Sequence, residues 1–336
     1  NVLQSGKLKA LIDLRDKSLV TAQSQLDEIA GGLAQAMSTV TTQGAPATGG
    51  AGQNGYSIDL APIRDGNDVT IQYAKGGVAQ SIRLVRVDDA SKLPIDYVDA
   101  NGTRVIGADF SAGAGPVATT LRNALGGGFT VSGSGTTLTV LDDGAAGTTD
   151  VNAVTRHATA TALQNGDLAI NLFVDNNGAD FTDSLSGTRA QKLGFAARIT
   201  VNPAILSDNT YLVQFQPGGS MGDDDRANYL LDQLSTMRFA TPQTSVSELG
   251  SFRLGGTVND LISQTMDYTG NIAADAKSND DTQQTAMQAL DQRLDSEYGV
   301  NVDEEMARLL ELQNAYAANA RVISAVQDLM DKLLGL

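Results

Sequence analysis

The chain has 336 residues, with no Cys, no Trp, one His and a formal net charge of −16. The lack of cysteine removes disulfides and thiolate metal sites, and the acidic balance disfavours nucleic acid and anionic membrane surfaces, which select basic patches. No apolar run approaches the ~20 residues needed to span a bilayer, and the length suffices for more than one domain core.

Taken in chain order, residues 1–42 read as helical, with Leu19, Ala22, Leu26, Ile29, Leu33 and Met37 on one face. Gly44 to Gly55 (GAPATGGAGQNG) reads as a Gly-rich linker with poor helix and strand character. From Tyr56 to about Lys192 the texture changes to short β-like runs separated by Gly, Asn and Asp. Candidate strands are Tyr56–Leu60, Val69–Tyr73, Gln80–Val87, Phe129–Val131, Thr137–Leu141, Val151–Ala160 and Leu168–Val174. A short helix, Val117–Leu125, interrupts them and ends at Gly126-Gly127-Gly128. Beyond Phe195 come a strand or two, an Asp-rich turn, and helices at Arg226–Met237, about Thr257–Ala276 and Thr282–Glu297.

The last stretch, Asn301 to Leu336, reads as one long helix of roughly 50 Å. Asn301 is a good N-cap, and Asp303, Glu304 and Glu305 sit at the positive end of the helix dipole. Val302, Leu309, Tyr316, Ile323 and Met330 recur every seven residues, with Met306, Gln313, Ala320, Gln327 and Leu334 at the second heptad position. One helix cannot bury such a stripe by itself, so these ten residues are the candidate assembly interface. Gln313 and Gln327, polar at seam positions, are expected to set register. The Ala-rich faces around Ala315, Ala317 and Ala318 permit packing on more than one side.

These elements predict a multi-domain α+β fold, a helical stem built from both ends of the chain with a β-rich domain inserted between its halves. The expected boundaries are 1–45 for the first half of the stem and 46–194 for the insert. The second half follows at 195–300, then the C-terminal coiled-coil helix at 301–336.

Other constellations that suggest chemistry have simpler structural readings. Asp223-Asp224-Asp225 precedes a helix and reads as an N-cap cluster rather than a calcium site. Asp175-Asn176-Asn177-Gly178-Ala179-Asp180 lacks the alternation and terminal Glu of an EF-hand and reads as a turn. His157 has no cysteine to activate, and the chain contains no Gly-x-Ser-x-Gly elbow. Gly126–Gly128 and Gly133-Ser134-Gly135 lack the ending of a phosphate loop. No catalytic residue, cofactor or metal ligand is therefore assigned.

Gly299 to Leu334 resembles the C-terminal signature of flagellar axial proteins. It does so at Gly299, Val300, Asn301, Asp303, Glu304, Glu305, Gln313, Ala315, Tyr316, Ala318, Ala320, Arg321, Val322 and Ile323. A second segment, GKLKALIDLRDKSLVTAQSQLDEIAGGLAQAM (Gly6 to Met37), resembles the mid-chain helical segment of the hook-associated family of the hook–filament junction, FlgK. Gly6, Lys7, Leu8, Leu14, Arg15, Asp16, Gln23, Gln25, Leu26, Asp27 and Ala30 carry that likeness. GFAARITVNPAIL, Gly194 to Leu206, is similar to the family's return into the same domain.

The resemblance implies a non-enzymatic structural protein, exported by the flagellar type III apparatus to the extracellular flagellum. Its implied partners are copies of itself, the hook protein, a second junction protein, the flagellin side of the filament and an export chaperone. It also implies that this chain is a fragment or processed form lacking an N-terminal helix. The terminal helix is then expected to be frayed or paired with a neighbouring molecule. The alternatives are another hook or rod component, or a secreted surface protein whose β-rich insert binds a ligand such as a glycan.

Overall fold

The computed structural model describes residues 6–186, 189–220, 222–242, 252–299 and 301–335; Val300 of the terminal motif lies outside the described residues. The chain divides into two compact units, Asn1–Gly270 and Asn271–Leu336. The architecture is α+β, with a β-rich central region and a long C-terminal helix.

In the first unit the chain opens with helix α1 (Lys7–Asp13), passes through one π-helical turn (Leu14–Ser18), and continues as α2 (Leu19–Ser38). The β-rich region follows without a linker. Its strands are β1 (Thr39–Gln43), β2 (Ala45–Thr48), β3 (Asn54–Asp59), β4 (Asp68–Lys75), β5 (Val78–Arg86), β6 (Asp96–Val98) and β7 (Arg104–Ala108). Helix α3 (Ala114–Leu125) then precedes β8 (Thr130–Ser134), β9 (Thr137–Leu141) and β10 (Thr149–Thr159). Six strands form one sheet in the order β1-β10-β4-β5-β7-β6, antiparallel except for β5 with β7. A second sheet has the order β2-β3-β9-β8.

Alternation explains which faces meet. Val69, Ile71 and Tyr73 of β4, Ile82 and Leu84 of β5, and Leu138 and Val140 of β9 point into one core. Val117, Ala118, Leu121 and Leu125 of α3 join them at helical spacing. The segment expected to be a Gly-rich linker is in fact β2, one 3₁₀ turn and the start of β3. Its glycines serve close approach rather than flexibility: a Cβ on Gly55 would lie 2.0 Å from the Val140 carbonyl oxygen.

The chain leaves and re-enters the helical part through neighbouring strands. Thr39 of β1 pairs with Thr159 of β10, and Ala160 N donates to the Ser38 carbonyl. Of the expected strand Leu168–Val174, only β11 (Phe173–Val174) forms, pairing with β12 (Thr200–Val201). Helix α4 (Pro203–Ser207) starts at Asn202, whose side chain accepts from Ala204 N. Helix α5 is Asp225–Thr236, and the strand pair β13 (Phe239–Ala240) and β14 (Gly255–Gly256) leads into α6 (Val258–Tyr298). The two helices expected at 257–276 and 282–297 are thus one. No proline breaks the stretch, and the Thr282 and Thr285 hydroxyls fold back onto carbonyls one turn earlier.

The face of α2 follows its apolar period in its second half, where Ile29, Leu33 and Met37 pack, and departs from it in the first. Leu19 and Leu26 are exposed, and the buried face is made of Thr21, Gln25, Asp27, Ala30, Ala34 and Ala36, with Met37 at its end. The reason is the bulk of what packs there. Phe181 and Phe195, stacked at 4.2 Å, lie against Ala30 and Ala34, and Phe239 lies against Ala36. A Cβ on Gly31 would already stand 3.1 Å from the Phe181 ring. Three aromatic rings supply the volume, so the helix supplies small residues.

Two polar devices complete this unit. The Asp27 carboxylate accepts from Gly194 N at 2.7 Å and Ala196 N at 2.9 Å, fixing the return segment on α2. Lys192 adds ion pairs to Glu28 and Asp183, each at 3.1 Å. The Arg226 side chain is fully buried and donates to the carbonyls of Leu163, Asp167, Leu168, Tyr211 and Gln214.

Candidate assembly interface

The second unit contains the C-terminal part of α6 and helix α7 (Val302–Leu334). Asn301 caps α7 as its sequence demands, its Oδ1 accepting from Asp303 N at 3.1 Å and Glu304 N at 3.4 Å. Asp303, Glu304 and Glu305 occupy the first turn and Lys332 the last, both favourable to the helix dipole.

Every described residue of α7 is exposed. This includes all ten seam positions: Val302, Met306, Leu309, Gln313, Tyr316, Ala320, Ile323, Gln327, Met330 and Leu334. The large apolar members run from 54% exposed at Leu309 to 84% at Leu334. So much contiguous exposed apolar surface makes this helix the candidate interaction site.

A second apolar row was missed in the sequence reading. Leu312, Ala315, Asn319, Val322, Val326, Leu329 and Leu333 follow the same alternation of three and four residues. They lie roughly 100° around the helix from the first row. Val322, Val326, Leu329 and Leu333 are each more than half exposed. The spacing was visible in the sequence, but the five-fold repeat beginning at Val302 hid it. A helix with one seam is satisfied by one neighbour; a helix with two can hold a neighbour on each side.

The remaining polar groupings have structural explanations. Asp175 receives Arg198 at 3.1 Å, and Asp180 receives Arg64 at 2.7 Å, so guanidinium groups already occupy the carboxylates of that turn. Asp175 N donates to the Ala179 carbonyl and Gly178 N to the Asp175 carbonyl, closing the loop. Among the described residues, Asp223, Asp224 and Asp225 are the one grouping close enough to share a cation. Asp223 Oδ1 there accepts from Asp225 N at 3.0 Å as α5 begins.

His157 lies on β10 with Nδ1 2.9 Å from Asp68 Oδ1 on β4. Burial works against the imidazolium, but the Asp68 carboxylate outweighs it and holds His157 above its ordinary pKa. Burial likewise pushes Asp68 up, while His157 and Arg83 bring it below the usual carboxylate range. The pair forms a charged cross-strand link on the face of the six-stranded sheet opposite its main core. No helix among the described residues is long and apolar enough to cross a membrane.

Among known families, two models match, one at each end of the chain. Residues 1–56 match the family model for the flagellar hook-associated protein FlgK helical domain. Residues 292–336 match that for the flagellar basal body rod FlgEFG protein C-terminal region. Flagellar hook-associated protein 1 of Escherichia coli (strain K12) is 24% identical over 344 residues, covering 100% of this chain and 50% of that protein. The Salmonella typhimurium (strain LT2) protein of the same name is 23% identical over 339 residues, with the same coverage. Its Bacillus subtilis (strain 168) namesake is 24% identical over 163 residues, covering 47% of this chain and 29% of that protein. The chain spans about half the length of the first two relatives, and no solved structure matches it.

Proposed function

We propose that this FlgK-like chain is a structural subunit of the bacterial flagellum that joins hook to filament by self-assembly. The observation that carries this reading is the doubly seamed, exposed α7 in a chain similar throughout to hook-associated protein 1. Copies pack their terminal helices side by side, each bridging two neighbours, and a ring rather than a closed pair follows. The two sheets carried between Thr39 and Thr159 face outward, while the helical parts build the wall. The subunit leaves the cell by the flagellar export route with a chaperone, and its other contacts are hook protein, a second junction protein and the filament side. Its work is mechanical, not catalytic.

Leu309→Asp in the encoded protein tests the reading. Burying a leucine at such a seam is worth about 1.5–3 kcal/mol, and a carboxylate there adds a desolvation cost. The expected phenotype is bare hooks with monomeric flagellin in the medium. Normal filaments on the mutant cells would defeat the proposal.

A further inference from the structure

Among the described residues, hydrogen bonds attach the β-rich region to the rest of the first unit in three places. The first is the crossing, where Thr39 pairs with Thr159, Ala160 N donates to the Ser38 carbonyl, and the Tyr229 hydroxyl donates to the Thr39 carbonyl at 2.8 Å. The second is the turn before β4. There Arg64 meets Asp180 at 2.7 Å, Asp65 accepts from the Ser184 hydroxyl and from Ser186 N, and Asn67 donates to the Thr182 carbonyl. Leu185 beside them packs on the cluster of Val85, Val87 and Val105. Both attachments lie at one end of the six-stranded sheet, where β10 finishes and β4 begins, because Asp68 is the register partner of both His157 and Val85. Two attachments at one end define a line, and a plate held along a line can rock about it.

The third attachment is off that line. Strand β7 runs parallel to β5 with Arg104 beside Ile82, so the turn from Asp99 to Thr103 stands roughly 13 Å up the strands from Arg86. It also lies at the far edge of the sheet, about 14 Å across from β4. Asp99 shapes the turn, its buried carboxylate accepting from Asn101 N and Thr103 N, each at 2.9 Å. The turn sits on the β13–β14 ribbon. Ala100 N donates to the Thr241 carbonyl at 2.7 Å, Arg253 Nη2 to the Ala100 carbonyl at 2.9 Å, and Asn101 Nδ2 to the Phe239 carbonyl at 3.3 Å. The ribbon is in turn clamped to α6: Gln264 Nε2 donates to the Gly255 carbonyl at 2.8 Å, and its Oε1 accepts from Gly255 N at 3.2 Å.

We propose that the seat of turn 99–103 on the β13–β14 ribbon fixes the tilt of the β-rich region, so that this region moves as one body with the first turns of α6. The tip of the β4–β5 hairpin stands about 26 Å from the line, twice as far as the turn, so a shift of the ribbon is about doubled there. This is a property of the single chain and stands apart from the assembly reading.

A chain without native cysteine suits spin labelling. One label goes on Val78→Cys at the hairpin tip and the other on Leu231→Cys of α5 or Leu206→Cys of α4, all three exposed in the structure. Labelled chain is diluted into unlabelled chain, and double electron–electron resonance reads the distances within one molecule. Both pairs are expected to give one narrow distribution. Two variants break the third attachment in different ways. Asn101→Ala with Arg253→Ala removes its side-chain bonds. Gly255→Val drives a wedge into it, since a Cβ there would stand 3.1 Å from Asn101 Oδ1 and 3.2 Å from the Ala100 Cβ. Neither touches the cluster around Ile71, Leu84 and Val140, so circular dichroism should stay that of the parent. Each variant should widen at least one distribution about twofold, whereas Arg64→Ala, which breaks a bond on the line, should leave both narrow. Broad distributions in the parent, narrow ones in both variants, or equal widening in Arg64→Ala would overturn the proposal.

Discussion

At Arg226 a guanidinium is carried wholly into the interior and met by five carbonyl oxygens from two stretches of irregular chain, 163–168 and 211–214. Burial draws its pKa down to about 10, which leaves it charged throughout the neutral range. Arg226→Met removes five donors and strands their acceptors, so a loss of more than about 3 kcal/mol is expected in denaturant unfolding. Arg226→Lys, with a single ammonium in place of a planar fork, should restore only part of it. The His157–Asp68 link makes a different claim. Because the folded-state pKa of His157 is raised, its stabilisation is full below the ordinary value of about 6.5 and fades as pH rises through the raised one. The melting temperature should therefore fall between pH 6 and pH 9, and His157→Gln should flatten that slope. Asp68 acts in the other direction only below the usual carboxylate range, where protonation removes its partner charge. An unchanged slope in His157→Gln would show that other groups set the pH response.

At the level of elements, periodicity located most of the structure and misassigned some of its faces. The strands around Val69–Tyr73, Gln80–Val87 and Thr137–Leu141 were legible because each alternates and each buries its apolar half. Helix α2 was legible as a helix and in the second half of its apolar face, where Ile29, Leu33 and Met37 pack, but Leu19 and Leu26 stay outside. Beside that half the packing partners are rings that demand alanine and glycine. Strands β2 and β7 escaped notice because short length, with Pro46 in one and Gly107 in the other, masks a strand even when its partner is the next one along the chain. Asp27 shows how contacts distant in sequence are locked. It is a buried carboxylate on a helix interior, unremarkable by local rules, whose function appears only when residues 194–196 fold over it. Asp27→Ala leaves two backbone N–H groups without acceptors and should cost about 1–3 kcal/mol. Hydrogen exchange should show faster opening at Gly194 and Ala196 while the β-rich core stays protected.

For the molecule as a whole, the candidate site was the most legible part, since a heptad needs no tertiary context to be seen. Its second row was hidden by the first, and no residue pattern announced the π turn at Leu14–Ser18. The insertion of the β-rich region has a mechanical meaning as well. Thr39 and Thr159 are register partners, so the chain crosses into the sheets and back at points roughly 5 Å apart. Helix α2 is meanwhile tied directly to the return segment by the Asp27 carboxylate, the Phe181–Phe195 stack and the cluster of Met37, Ile170, Ile205 and Leu230. Tension between α2 and the return segment is borne first by these ties, while the sheets are moored to the same region by Arg64 on Asp180, Asn67 on the Thr182 carbonyl and Ala100 N on the Thr241 carbonyl. A tether so arranged leaves the parts of the branch away from these moorings free to lengthen, shrink or change their surface while the part under strain keeps the same springs.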